Sequence, residues 1–181
     1  MRLNIPSTVR AVALPLQVPP NCDLTLGMVC IDKSRPGRTV WRVEAHERFA
    51  NPLGVLQGGF AAACCDSAMG AAALTYAQHR PDRSVATAEA GTADASAAEA
   101  GTAAASTSGS TPRVPLRIAN VEMKVSFFRP VTVGSMLTCE AEVVSGGARI
   151  AFLKATLRSE DGTPLARATS TYLISHNAAR S

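Results

Sequence analysis

One apolar run most constrains how this chain can fold. From Gln57 to Gln78 alanine is the most frequent residue, most of the others are also small or apolar, and Asp66 is the only charged residue. Because a helix that is apolar all round is normally buried, the run predicts a central helix packed on every side. A membrane span is disfavoured, since the run is rich in Ala and Gly rather than Leu and a central Asp costs roughly 2.5–3.5 kcal/mol on insertion. We therefore expect the core helix of a globular domain with one acid in its middle.

The acid and the glycines at the start of this helix suggest chemistry. A buried carboxylate costs free energy unless it is paired or its pKa rises, and such acids are candidates for catalysis. Gly58 and Gly59 would open the helix, where free N–H groups can bind a substrate carbonyl or an oxyanion. Gly58 and Asp66 lie eight positions apart, about 12 Å along a helix, which is too far for both to act on one carbonyl group. If both act on one substrate, Asp66 must come from a second subunit, most simply across a two-fold axis.

Length and composition set the bounds of the prediction. The 181 residues suit a single domain with its own core. The five cysteines are odd in number and form no Cys-x-x-Cys pair, and the N-terminus has no continuous apolar stretch of a signal peptide. These features favour a reducing cytoplasm over a disulfide framework. The three histidines are scattered without ligand spacing, so we expect no metal site.

Two segments are expected to lie outside the packed core. Residues 1–23 hold four prolines and predict an extended lead-in. Residues 86–111 contain only Ala, Thr, Ser, Gly, Glu and Asp, and the decapeptide 87–96 is repeated with two changes at 97–106. Such a segment buries too little apolar surface to offset its ordering entropy, so a mobile insertion loop is predicted. A linker without its own function is the favoured interpretation, and a partner-binding role the alternative.

The remaining pattern predicts an α+β domain in which a curved antiparallel sheet wraps around the long central helix. Alternating or β-branched stretches bounded by turn residues indicate strands before and after that helix. The predicted strands are 28–33, 39–46, 117–128, 135–145, 148–158 and 164–174.

The charge pattern weakly favours an acidic ligand. The formal net charge is +4, and residues 86–111 contribute only acids, so the rest of the chain is more basic. Positive surface can attract the phosphate groups of such a ligand. Arg129 and Arg149 are the candidate phosphate contacts. No basic run with interleaved aromatic residues is present, so nucleic acid is not an expected partner.

The segment Asn51, Gln57-Gly58-Gly59 and Asp66 resembles the active-site segment of hotdog-fold acyl-CoA thioesterases of the phenylacetate-pathway (PaaI) type. In that family the motif reads Asn-x-x-Gly-x-x-His-Gly-Gly, with an acid nine residues after the His. The resemblance implies that Asp66 is a nucleophile or general base, that the Gly58 N–H forms the oxyanion hole, and that Asn51 helps to hold the nucleophile or water. Gln57 stands where His is usual. Its amide can donate a hydrogen bond but cannot become a cation, so its role is orientation or polarisation.

The second half of the chain extends the resemblance at 125–134 and 162–169. Asn120 takes a position where the family often carries Ser or Thr near the nucleophile. The resemblance implies a hotdog fold and hydrolysis of a small or medium acyl-CoA, aryl-acetyl esters included, with coenzyme A as part of the substrate and no separate cofactor. It also implies a homodimer or homotetramer whose subunits share the active site.

Two other classes remain for comparison. A non-catalytic acyl-CoA-binding or regulatory module on the same fold would bind such esters without consuming them. Hydratases that act on enoyl-CoA resemble a different signature, Asp-x-x-x-x-His, and the residue five positions after Asp66 is Ala71.

Overall fold

The computed structural model describes residues 21–80 and 116–176. The predicted insertion at 86–111 lies outside these ranges, as do residues 1–20 of the predicted lead-in. Residues 21–23 of that lead-in, which were predicted to be extended, begin the first helix instead. In chain order the elements are α1 (Asn21–Leu26), β1 (Val29–Asp32), β2 (Arg38–Glu44), a 3-10 turn (Glu47–Phe49), α2 (Gly58–Gln78), β3 (Leu116–Phe127), β4 (Met136–Gly146), β5 (Ile150–Ser159) and β6 (Pro164–His176).

The strands form one six-stranded antiparallel sheet in the order β1-β2-β4-β5-β6-β3. Helix α2 packs across one face of this sheet and contacts every strand from β2 to β6. The α+β prediction, with its long central helix and antiparallel sheet, is confirmed. Each predicted strand is present within a few residues of its expected bounds.

The core lies between α2 and the residues that alternate onto one face of the sheet. On β5 these are Ala151, Leu153, Ala155 and Leu157, all at most 2% exposed. Small residues on the helix allow it to lie close to the sheet, and the Thr39 hydroxyl on β2 donates to a main-chain carbonyl of α2. The Ala-rich composition of the helix is therefore a packing requirement.

Helix α2 is buried on one face only, which corrects the expectation of burial all round. The buried positions recur every three or four residues, as expected for one face of a helix. The opposite face, which includes Ala62, Ala63, Asp66 and Gly70, is half-buried in the single chain. Composition cannot separate a face covered by the chain's own sheet from a face of small apolar residues left open. No helix in the described ranges is long and apolar enough to cross a membrane.

Strand β3 forms one edge of the sheet and contains a bulge. It pairs with β6 on one side, in a register that shifts between Asn120 and Glu122. Val121 is the extra residue, and its side chain is 64% exposed. Before the bulge Asn120 lies opposite Tyr172, and after it Met123 lies opposite Ser170. The bulge therefore sets which residues of β3 face the helix.

Candidate active site

A compact loop fixes the start of α2. The Asn51 side-chain oxygen accepts hydrogen bonds from the main-chain N–H groups of Leu53 (2.9 Å) and Val55 (3.4 Å), which is a typical Asn turn. Gly54 has φ of 75°, a conformation that favours glycine. The loop ends where Gln57 N–H donates to the Phe49 carbonyl (2.8 Å). Asn51 thus holds the loop that delivers the helix terminus.

The N-terminus of α2 is open for a ligand. Gln57 occupies the N-cap, is exposed, and makes no side-chain capping bond. Within the described residues nothing accepts a hydrogen bond from the Gly58 N–H. A Cβ atom at Gly58 would lie 3.3 Å from the ring of Phe127, whereas one at Gly59 would meet open space. Close approach to the main chain at Gly58 is therefore possible because the residue has no side chain.

A groove of about 330 Å³ adjoins this terminus. Its walls are mainly apolar, and its rim includes Arg129, whose guanidinium donates to the Pro164 carbonyl at 3.1 Å. The groove is lined by Leu56, Gly58, Ala61, Phe127, Phe128, Arg129, Pro130 and Val131.

Asp66 lies two turns further along α2, and residues of the sheet hold its carboxylate. Its Oδ1 accepts a hydrogen bond from Asn120 Nδ2 and another from the Tyr172 hydroxyl, both at 2.6 Å. The same hydroxyl lies 3.0 Å from the Asp66 main-chain carbonyl. No described residue donates to Oδ2. The carboxylate is therefore anchored by one oxygen, while the other remains available for chemistry.

A second layer of contacts orients these donors. The Ser170 hydroxyl lies 2.7 Å from both Asn120 Oδ1 and the Glu122 carbonyl. A hydroxyl donor at Oδ1 requires that the amide turn its Nδ2 toward the carboxylate, so the amide orientation is consistent across the network. Burial, followed by the hydrogen bond to Asp66, raises the pKa of Tyr172 well above its ordinary value. Tyr172 therefore keeps its proton and serves as a donor.

The predicted site residues fall into two groups within one chain. Gln57, Gly58 and Gly59 lie together at the helix terminus, and Asp66 meets Asn120 further along the helix. Within one chain the Asn51 side chain bonds to its own loop, and the role that the resemblance implies for it, holding the nucleophile or water, stays a prediction.

The two candidate phosphate contacts lie far apart in one chain. Arg149 precedes β5, and Arg129 lies beside Pro164, past the other end of that strand. Ten residues of β5 span about 33 Å. One phosphate group therefore cannot contact both arginines of the same subunit.

Sequence reasoning missed Tyr172 and Ser170. Both lie on β6 at alternating positions that face the helix, among alanines. A buried hydroxyl in such a row is a signal that could have marked them, because buried polar groups need partners. Among the residues of 21–80 and 116–176, no group of three His, Cys, Asp or Glu side chains could hold a metal ion.

Comparison with known proteins agrees with this architecture. Residues 95–166 match the model of the thioesterase superfamily. A search of curated proteins finds no match to the sequence. The structure of PaaI from the phenylacetic acid degradation operon of E. coli aligns with a TM-score of 0.61 at 15% identity, over 84% of this chain and 82% of that one. The chain has the hotdog fold.

Further hotdog structures align to a similar extent. A mutant of the phenylacetic acid degradation protein PaaI from Thermus thermophilus gives a TM-score of 0.58 at 20% identity over 83% of this chain and 96% of that one. A hypothetical thioesterase from Streptococcus pneumoniae, solved with coenzyme A, gives a TM-score of 0.59 at 14% identity over 84% of this chain and 88% of that one. The predicted resemblance to PaaI-type hotdog thioesterases is thus confirmed. The family-model match begins after Asp66 and therefore includes neither Gly58 nor Asp66.

Proposed function

We propose that this hotdog protein hydrolyses the thioester bond of an acyl-CoA, at a site that two subunits share. Asp66 of one subunit acts on a carbonyl carbon whose oxygen is bound by the Gly58 N–H of the other, with Gln57 assisting. The observation that carries this proposal is the hydrogen bonding of the Asp66 carboxylate. Two donors hold Oδ1, and no described residue donates to Oδ2.

The chemistry follows from the two groups. An N–H at a helix terminus stabilises the negative charge that develops on the carbonyl oxygen as it is attacked. Asp66 either attacks the carbonyl carbon to form an anhydride that water then opens, or removes a proton from the attacking water. By either route the C–S bond breaks, the acyl group gains a hydroxyl oxygen from water, and the thiolate of coenzyme A takes up a proton. No further cofactor takes part in this scheme.

The two groups are too far apart to act within one subunit. Gly58 and Asp66 are separated by eight residues of an unbroken α-helix, about 12 Å. Gly58 lies beside Phe127, at the end of β3, whereas Asp66 lies beside Asn120. A donor beside the last residue of β3 and a base beside Asn120, near the middle of that edge strand, favour a site completed by a second copy.

The free edge of β3 supports such a copy. The strand has 12 residues and pairs only with β6 among the described strands. Two β3 strands placed antiparallel about a two-fold axis, in a register centred between Asn120 and Phe127, would put Asn120 of one strand opposite Phe127 of the other. That arrangement brings each Asp66 toward the partner's helix terminus. It would also cover the half-exposed apolar face of α2, whether the assembly is a dimer or a tetramer of such dimers.

The same arrangement accounts for the two arginines. Arg129 lies at the groove beside Gly58. Arg149 lies near the Asp66 end, since its carbonyl accepts from Ile174 N–H, two residues after Tyr172. In a shared site one arginine would come from each subunit, where both could contact the phosphates of coenzyme A. The groove of about 330 Å³ is at the small end of ligand pockets and suits a small or medium acyl group.

A second candidate function is an acyl-CoA-binding module without turnover. The exposed Gln57 in place of the usual His favours it, since this side chain makes no hydrogen bond that would fix it among the described residues. Such a module would bind the same esters with unchanged thioester bonds.

Release of free thiol from a panel of short, long, branched and aryl-acetyl CoA esters tests the proposal. We expect the wild type to hydrolyse at least one ester, and Asp66→Asn and Asp66→Ala to lose activity by at least about 10²-fold. Asp32→Asn is the matched control, because Asp32 pairs with Arg38 on the first hairpin and should leave turnover unchanged. Full activity in the Asp66 variants contradicts the proposal. Binding by calorimetry without any thiol release favours the module.

A further inference from the structure

We propose that Tyr172 is a positioning residue that, together with Asn120, holds Asp66 by Oδ1 and so assigns the reaction with the thioester to Oδ2. This inference rests on the proposed function and deepens it, because it names the reacting oxygen and the group that selects it.

The first support is the geometry of the carboxylate. Both donors lie 2.6 Å from the same oxygen of Asp66, and they come from two adjacent strands. Asn120 and Tyr172 are direct partners in the ladder between β3 and β6. Rotation of the carboxylate away from this orientation would break both contacts, whereas a half-turn would only exchange two equivalent oxygens, so the donors fix the plane in which the held and the free oxygen lie. Two donors on one oxygen therefore distinguish Oδ1 from Oδ2.

The second support is that the two donors differ in rigidity. Asn120 is exposed, lies on the edge strand and precedes the bulge at Val121. Tyr172 is 3% exposed and lies on β6, which is paired on both sides by β5 and β3. A side chain in this setting has few alternative positions. Tyr172 is thus the fixed reference to which the carboxylate is tied.

A purely structural role is the alternative. The Tyr172 hydroxyl also lies 3.0 Å from the Asp66 main-chain carbonyl, and a Cβ atom at Gly70 would lie 3.7 Å from the same hydroxyl. Through these contacts it could simply fasten α2 to the sheet. A structural fastening predicts a loss of stability with unchanged turnover, whereas positioning predicts a loss of turnover by a folded protein.

The experiment compares Tyr172→Phe with Tyr76→Phe, which are the two possible Tyr-to-Phe changes in this chain. Tyr172→Phe keeps the buried ring and removes only the hydroxyl. We expect kcat to fall by about tenfold or more with a KM within about twofold of the wild type, because the group acts on the orientation of the reacting atom. The Tyr76 hydroxyl accepts a hydrogen bond from Arg80 near the C-terminal end of α2, away from Asp66. Tyr76→Phe should therefore retain wild-type kcat. Wild-type kcat in Tyr172→Phe would overturn the inference, even where Asp66→Ala is inactive and the proposed function stands.

A second readout does not require turnover. A phenol proton in a short, buried hydrogen bond to a carboxylate should give a protected downfield proton resonance in the NMR spectrum. We expect this resonance in the wild type and in Tyr76→Phe, and its loss in both Tyr172→Phe and Asp66→Ala. A wild-type spectrum without it would overturn the inference whatever the activity. Activity that survives in Asp66→Ala would instead refute the proposed function.

Discussion

The side-chain amide of Asn120 on the edge strand donates to Oδ1 of Asp66 on the central helix across 2.6 Å. A donor to an ionised acceptor contributes about 1.5–3 kcal/mol, so its loss should weaken the orientation of the acid. We expect Asn120→Ala to lower kcat by about tenfold.

Asn120→Asp provides the sharper comparison. It replaces a donating amide with a second carboxylate at hydrogen-bond distance from Asp66, where like groups repel each other. We expect this variant to be less active than Asn120→Ala near neutral pH, although it is closer in shape to the natural residue. Steady-state kinetics beside thermal melting separate this effect from a loss of folding, and equal activity of the two variants would contradict the expected effect of the second carboxylate.

Proline at Gly58 tests the oxyanion donor alone. Position 58 is the first residue of α2, where proline is well tolerated because its missing N–H has no partner within the helix. Gln57 is extended, with ψ of 131°, as the residue before a proline prefers. We therefore expect Gly58→Pro to fold and to lose about 10²-fold in kcat.

Gly58→Ala is the matched control. It introduces the same Cβ beside the ring of Phe127, at 3.3 Å, but keeps the N–H. We expect Gly58→Ala to be much more active than Gly58→Pro, with a moderate loss of activity because the ring of Phe127 must shift. If both variants lose activity equally, crowding by the Cβ rather than the missing donor explains the loss.

Mixing two inactive variants tests the shared site. Chains with Asp66→Ala retain Gly58, and chains with Gly58→Pro retain Asp66. In a mixed dimer one of the two sites combines both intact groups. Random reassembly at equal amounts should restore about a quarter of wild-type activity. Each variant alone, taken through the same unfolding and refolding, is the control, and no recovery in a verified mixed dimer would place both groups in one subunit.

The thiols should differ sharply in reactivity. Cys22 is exposed, whereas Cys64, Cys65 and Cys139 are buried. Burial raises the pKa of Cys64 to about 12, and the pKa of Cys139 is raised by its hydrogen bond with Cys65 and by burial. Since the thiolate is the reactive form, these thiols should react with a disulfide reagent at pH 8 only after unfolding.

The checking measurement is a titration with Ellman's reagent in native buffer and in denaturant. We expect a fast native phase that disappears in Cys22→Ser, a slower native phase from the half-buried Cys30, whose pKa is raised by burial, and reaction of the three buried thiols only on unfolding. Rapid reaction of all the cysteines in native buffer would contradict the packed core. The variant also gives a low background for the thiol-release assay.

The sequence predicted the elements of this fold well because their signals are local. The alternation of β5 and β6 and the apolar run of α2 each lie within one segment. The same run could not indicate which face of α2 the sheet covers, since Ala62 and Ala68 are the same residue type and only one is fully buried.

The candidate site was predicted in part. The spacing from Gly58 to Asp66 lies within one helix and was therefore accessible. The contacts of Tyr172 depend on the register of β6 against β3 and on where the helix crosses both strands. These contacts join distant parts of the chain, since Asp66 and Tyr172 are more than a hundred residues apart in sequence. Neither periodicity nor residue type reveals such a pairing.

The bulge in β3 joins two stretches of sequence whose alternation is out of phase. Leu116 and Ile118 pack against the core from the first stretch, and Met123 and Val125 from the second. A regular strand could turn only one of these pairs toward the helix, because successive side chains point to opposite faces. The extra residue, Val121, lets both pairs face the helix, and it leaves Asn120 in phase with Ile118, where its amide contacts Asp66. A single inserted residue thus reconciles the apolar packing of the strand with the position of one polar side chain.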